Sequence, residues 1–156
     1  MILSTLCYLE KDDSYLMLHR TKRKNDANKD KWIGIGGKFE AGESPDECLI
    51  REVHEETGVK LNSYKFRGII TFTSDVWETE YMHLFTSNDF EGKISECNEG
   101  IPKWVKKSQI KDLPIWEGDK IFFNLLAKDS EFFSLKLSYD KNERLTSAIL
   151  NGKSIM

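Results

Sequence analysis

Along most of the chain, apolar residues either alternate with polar ones or form short runs, so strands dominate the expected structure. Ile2 to Glu10 is largely apolar, Lys11-Asp12-Asp13-Ser14 is turn-forming and Tyr15 to His19 is apolar again, which predicts an opening β-hairpin. Trp32-Ile33-Gly34-Ile35-Gly36-Gly37 alternates large and small residues. It predicts a short strand delivered into a glycine turn, where backbone can approach a ligand closely. Further strands are expected at Tyr64 to Thr73 and Glu80 to Thr86, with a turn at Ser74 to Thr79, and at Ile101 to Lys106; Asp89 to Asn98 is polar. Ser108 to Asp112 reads as a short helical turn, and Glu117 to Ala127 as a helix with Ile121, Phe122, Leu125 and Leu126 on one face. Phe132 to Tyr139 and Arg144 to Leu150 form a closing hairpin around Asp140-Lys141-Asn142. The sum is an α/β fold over residues 1–156 as one domain: an α/β/α sandwich, with a mixed central sheet and helices on both faces.

One stretch departs from this alternation. Ser44 is followed by Pro45 and, three residues on, by Glu47, a capping box with proline at the first helical position, and Gly58 supplies the stop. On the helix between them, Leu49, Ile50, Val53 and Thr57 make a packing stripe, while Glu52, Glu55 and Glu56 fall within an arc of roughly 100° beside it. Glu52 meets Glu55 at i+3 and Glu56 at i+4, and each like-charge pair weakens an isolated helix by about 0.2–0.5 kcal/mol. A bound cation would relieve that repulsion. Carboxylates without Cys or His at coordinating spacing suit Mg²⁺ or Mn²⁺ better than Zn²⁺. The alternative is a solvated acidic face.

Composition narrows the classes. A chain of 156 residues, 39% hydrophobic and 31% charged, fits one globular domain rather than a disordered segment. The N-terminal MILSTLCYLEKDD has no basic leader and its apolar run is too short for a membrane span, so the expected compartment is the cytoplasm. Cys7, Cys48 and Cys97 are odd in number and lack CxxC spacing, which argues for buried thiols over disulfides or zinc. A net charge of −3 predicts no nucleic-acid partner. Local positive charge is concentrated in Arg20, Lys22, Arg23, Lys24, Lys29 and Lys31 against Asp26 and Asp30, either a phosphate-attracting rim beside the glycine turn or a solvated loop.

Gly37, five residues, Glu43, seven residues, Arg51-Glu52-Val53, one residue, Glu55-Glu56, one residue and Gly58-Val59 resembles the Nudix box at every defining position. The resemblance implies an α/β/α hydrolase that cuts a nucleoside diphosphate linked to a further group, by attack of water at phosphorus, with Mg²⁺ as cofactor and Mn²⁺ as a substitute. Triphosphate charge beside three glutamates requires such cations. The resemblance implies Glu52 and Glu56 as main metal ligands, Glu55 as a further ligand or a supporting group, and the Gly37 carbonyl as another oxygen ligand. Arg51, placed on the wheel facing away from the centre of the acids, would pair with Glu43 and clamp the loop to the helix. Glu99, before the Ile101 strand, lies where related pyrophosphatases place an extra acidic ligand or base, with Glu96 as its rival. Glu52, Glu55, Glu99, Arg51 and Glu43 thus form the expected catalytic set. Gly36, Gly37 and Lys38, with Arg23 on the rim, are expected to bind substrate.

Two absences narrow the nucleotide. Nudix enzymes for ADP-ribose usually carry a proline soon after the box, and this chain has none between Pro45 and Pro102; the SQPWPFPxS motif of NADH-type members is also missing. Trp32-Ile33-Gly34, Glu99 followed by Trp104, and Trp116-Glu117-Gly118-Asp119 instead resemble MutT-like enzymes acting on oxidised purine triphosphates such as 8-oxo-dGTP. Trp116 and Trp32 would stack on the base and Asp119 would hydrogen-bond its edge, whereas Trp77 and Trp104 read as structural. Two positions depart from that pattern. Ile33 stands where those enzymes often have asparagine, and Gly118 replaces an acidic residue. Other Nudix substrates (a dinucleoside polyphosphate, a nucleotide sugar, a capped RNA end) and a nucleotide-sensing domain without turnover are the alternatives. The expected partner is a small nucleotide, with no membrane.

Overall fold

The computed structural model describes residues 1–21, 26–95 and 100–156. The first hairpin is as expected: β1 (Ile2–Lys11) and β2 (Ser14–His19) meet at Glu10/Tyr15 and Lys11/Ser14. Asp12 and Asp13 have φ of 51° and 59°, the two left-handed residues that a tight hairpin turn requires. Both strands are continuously apolar because both of their faces are covered. Leu6, Tyr8, Tyr15 and Met17 enter one core, and Cys7, Leu9, Leu16 and Leu18 the other.

β1 pairs in parallel with β5 (Glu80–Glu91), β5 antiparallel with β4 (Lys60–Ser74), and β4 in parallel with β7 (Phe133–Tyr139). β8 (Leu145–Leu150) and β9 (Lys153–Ser154) extend that side. On the other side β2 pairs with β3 (Trp32–Ile33) and with β6 (Ile101–Lys106). The result is a mixed sheet of order β3-β2-β1-β5-β4-β7-β8-β9, with β6 on β2.

Helix α1 (Pro45–Thr57) covers one face through Leu49 and Val53, packed with Cys7, Leu16, Ile35 and Phe85. Helix α2 (Asp119–Ala127) covers the other through Phe122 and Leu126, packed with Tyr8, Met17, Ile70 and Leu135. This is the α/β/α arrangement expected from the periodicity.

Several boundaries differ. β5, expected over Glu80 to Thr86, runs on through the polar Asp89, whose carboxylate accepts from Asn62 and Ser63 across the ladder. β3 is two residues long; Ile35 and Lys38 form isolated bridges to β1 instead of continuing it. The helical turn before Leu113 is a 3₁₀ segment, Lys107–Asp112, and α2 begins two residues later than expected. No described helix is long and apolar enough to cross a membrane. Cys7 and Cys48 are buried free thiols, and Cys97 lies outside the described residues.

α1 has the ends its sequence specifies. Glu47 N–H donates to Ser44 Oγ (3.1 Å), Ser44 N–H donates to Glu47 Oε1 (3.0 Å), and Gly58 closes the helix at φ 78°. Its packing stripe is rotated from the expected one. Ile50 is 47% exposed, while Cys48 and Glu56 are buried with Leu49, Val53 and Thr57. A carboxylate takes a place in the buried arc because a backbone N–H meets it there, as described below.

Replacing Ser44 by Ala should lower stability by about 1 kcal/mol, read as a shift of the urea midpoint at unchanged slope. Ser44→Asp, which keeps an acceptor for the Glu47 N–H, should retain most of it.

Candidate active site

The glycine turn is fastened to the middle of the sheet. Cys7 and Ile35 exchange both backbone hydrogen bonds (2.6 and 2.9 Å), Thr5 N–H donates to the Gly37 carbonyl (2.9 Å), and Phe39 N–H to that of Leu3 (3.0 Å). A Cβ at Gly36 would overlap the Thr5 carbonyl, and one at Gly37 would overlap the Glu52 carboxylate. The two glycines are therefore pressed between β1 and α1. Gly36 N–H donates to Glu56 Oε2 at 3.0 Å, which satisfies a carboxylate that is only 5% exposed.

Arg51 is the hub of the acidic cluster. Its Nε and Nη2 bind both oxygens of Glu43 (2.7 and 2.9 Å), its Nη1 reaches Glu52 Oε1 (2.8 Å) and Glu55 Oε2 (3.2 Å), and Nη2 also donates to the Lys38 carbonyl (3.1 Å). The expected clamp to Glu43 is present, and the Arg51 guanidinium with the Glu40 N–H (2.7 Å) pulls the Glu43 carboxyl down to about 2. The expectation that Arg51 faces away from the acids is corrected. Its side chain is long enough to fold back along the helix and neutralise Glu52 and Glu55.

The Gly37 carbonyl, expected to ligate metal, accepts from Thr5 N–H at 2.9 Å, and Cys48 Sγ lies 3.5 Å from it. Glu52, Glu55 and Glu56 offer oxygen alone, the chemistry that suits a hard divalent cation. Among the described residues no three His, Cys, Asp or Glu side chains converge closely enough to hold one. Arg51 engages Glu52 and Glu55, and Gly36 engages Glu56. The donor set fits such an ion, its members being held by Arg51 and by the Gly36 N–H. Glu99, Glu96 and Arg23 lie outside the described residues.

A cavity of about 620 Å³ has Gly36, Gly37, Lys38, Arg51 and Glu52 in its wall, together with Tyr8, Asn28, Phe72, Trp116, Asp119 and Tyr139. The box and the Trp116 region, far apart in sequence, thus border one space. Trp116, expected to stack on the base, lies in the cavity wall and is largely enclosed. It is 6% exposed, edge-on to Phe72 and Tyr139 (centroids 5.0 and 4.7 Å), with Lys31 Nζ 4.3 Å from its ring centre. Its Nε1 donates to Asn28 Oδ1 at 2.8 Å. Trp32 stands outside the cavity wall, its ring stacked on His19 at 4.5 Å and 6°. Trp77, expected to be purely structural, is part of the wall.

Asp119 is buried, and burial pushes its carboxyl up to about 8, with the Lys31 ammonium pulling the other way. Gly118 cannot be aspartate without displacing neighbours, since a Cβ there would lie 2.6 Å from both Leu137 Cδ1 and Tyr139 Oη. The wall therefore holds a single carboxyl at this place. Tyr8 and Phe72 carry no sequence signal, since they share strand parity with ordinary core residues, and neither does Asn28 among lysines.

The Asp119 shift has a sign that stability should follow. Its folded-state value lies above the unfolded 3.8, so the folded chain binds the extra proton between about pH 4 and about 8. Stability from this group is fullest below that window, falls as pH rises through it by no more than about 1.4 kcal/mol per pH unit, and levels off above. Asp119→Asn should gain on the wild type as pH rises from about 5 to about 9 in urea denaturation. A difference that does not vary with pH would contradict the assignment.

The chain matches the family model described as NUDIX domain over residues 2–126. It is 30% identical over 156 residues to the uncharacterized Nudix hydrolase YvcI of Bacillus subtilis (strain 168), covering 97% of this chain and 95% of that protein. It is 33% identical over 104 residues to the oxidized purine nucleoside triphosphate hydrolase of Danio rerio, covering 65% of this chain and 66% of that one. Its fold superposes on the MutT protein of Bacillus halodurans with a TM-score of 0.85 at 26% identity, covering 98% of this chain and 99% of that one. With the box glycines pinned to the sheet and the box glutamates gathered round Arg51, the chain belongs to the Nudix hydrolase family, as a MutT-like member.

Proposed function

We propose that this protein is a pyrophosphohydrolase that uses a divalent cation to split a nucleoside triphosphate into a nucleoside monophosphate and pyrophosphate, acting on oxidised purines of the 8-oxo-dGTP kind. The observation that carries the reading is the shared cavity wall, in which the Gly36-to-Lys38 turn, Arg51 and Glu52 border the same space as Trp116 and Asp119. The name of the Danio rerio relative supports the substrate class.

In this reading residues 1–156 act as one catalytic unit. Glu52 and Glu56 are the principal oxygen ligands and Glu55 a further one, for Mg²⁺ or, in its place, Mn²⁺. A cation bound there would neutralise phosphate oxygens and lower the pKa of the attacking water. Glu43 holds Arg51, and Arg51 holds the glutamates in register with the turn. Lys38 brings positive charge to the phosphates, and Gly36 and Gly37 let the chain pass close to them. Glu99 or Glu96, ahead of β6, supplies the general base, and Arg23 adds charge at the rim. At the base end, Trp116 supplies apolar wall. Asp119, neutral below about pH 8, both donates and accepts hydrogen bonds, which matches a purine edge that carries a carbonyl beside an N–H.

Purified protein with Mg²⁺ should release pyrophosphate from 8-oxo-dGTP faster than from dGTP, ADP-ribose or a diadenosine polyphosphate, and chelation should stop it. Faster cleavage of one of the other compounds would move the assignment to that substrate. Tight binding without turnover would mark a sensing domain. Glu56→Gln and Glu55→Gln should each cut turnover by orders of magnitude with the far-ultraviolet circular dichroism unchanged; unaltered rates would remove them from the metal site.

A further inference from the structure

The orientation of the Asn28 carboxamide is decided by its neighbour. An indole N–H can only donate, so the group 2.8 Å from Trp116 Nε1 is the Asn28 oxygen. Nδ2, with two N–H donors, therefore points elsewhere. Among the described residues no group accepts from it, and no buried side-chain nitrogen or oxygen is left without a partner, so this amide nitrogen is open rather than sealed in protein. Asn28 belongs to the cavity wall together with Trp116 and Asp119.

The turn that carries Asn28 is held from both ends. Asp26 Oδ1 accepts from the Asn28 N–H (3.1 Å), and Asp26 Oδ2 is bound in turn by Arg20 Nε (2.9 Å). The Asn28 carbonyl accepts from the Lys31 N–H (2.9 Å). Lys31 lies over Trp116 and is tied to Glu143 (2.6 Å). Indole edge and indole face are thus gripped by one turn, which fixes the amide as well.

We propose that Asn28 is a specificity-determining residue of the cavity, donating from Nδ2 to a carbonyl oxygen on the base of a bound purine nucleotide. The inference rests on the purine-nucleotide reading and narrows it to purines with a carbonyl at C6. A 6-amino group would set N–H against N–H and leave both unpaired, which disfavours binding. Ile33 offers no polar group, and Asn28 brings an amide to the wall from a different segment.

The test compares the monophosphates of deoxyinosine and deoxyadenosine, which differ at this edge, by calorimetric binding without turnover. The wild type should prefer deoxyinosine monophosphate. Asn28→Asp keeps an oxygen for Trp116 and removes the donor, and should reduce that preference about tenfold. Asn28→Ala, which also lacks the donor, replaces it as the test variant if the aspartate does not fold by thermal melting. Wild type that binds both equally, or a preference unchanged in the variant, overturns the role of Asn28 and leaves the hydrolase reading intact. Wild type that binds neither and cleaves no purine triphosphate overturns both.

Discussion

Between Thr5 and Gly37, and again between Cys7 and Ile35, the box turn and β1 are joined by backbone hydrogen bonds at a separation that excludes a side chain at Gly36. That contact is the constraint on which the rest of the site depends. β1 is itself immobilised, paired along Ile2 to Leu9 with β5 and buried on both faces. The turn therefore inherits the rigidity of the central sheet, and α1, which starts a few residues later from a complete capping box, is aimed by it. The Glu56 carboxylate meets the Gly36 N–H because the turn and the helix have been set against each other in this way.

The same contact orders the charges. Three glutamates on one helix would repel, yet each has a partner in the folded chain: Glu56 the turn backbone, Glu52 and Glu55 the Arg51 guanidinium. Glu43 holds Arg51 through both of its oxygens, and that bidentate geometry is one that lysine could not reproduce. On the opposite face of the sheet a second set of constraints acts on Asp119, where an apolar wall and the packing at Gly118 leave one carboxyl with its proton retained. Two sites of opposite electrostatic character, one ionised and one neutral, so border one cavity.

Much of this was legible in the sequence. The capping box, the Gly58 stop and the hairpin at Asp12-Asp13 depend on local chemistry that a few residues declare, and the two-sided core follows from continuous apolar strands. The Nudix spacing identified the glycines and glutamates. What was not legible depends on pairings distant in sequence. The burial of Glu56 in place of Ile50 requires a backbone N–H twenty residues away, and the close packing of Trp116 requires Asn28, Lys31 and Tyr139. Helical wheels place side chains by angle alone, so Arg51 was read by its direction when its length decided its partners.

Arg51 has a further consequence. A cluster of carboxylates that depended on a cation for its charge balance would make folding contingent on the supply of that ion, and scarcity would expose the chain to unfolding. Here the counter-charge is covalently built in, on the same helix as two of the acids it serves. In the folded chain the Arg51 guanidinium supplies that counter-charge to Glu52 and Glu55 from within α1. A cation bound at these carboxylates would compete with the Arg51 guanidinium for Glu52 and Glu55.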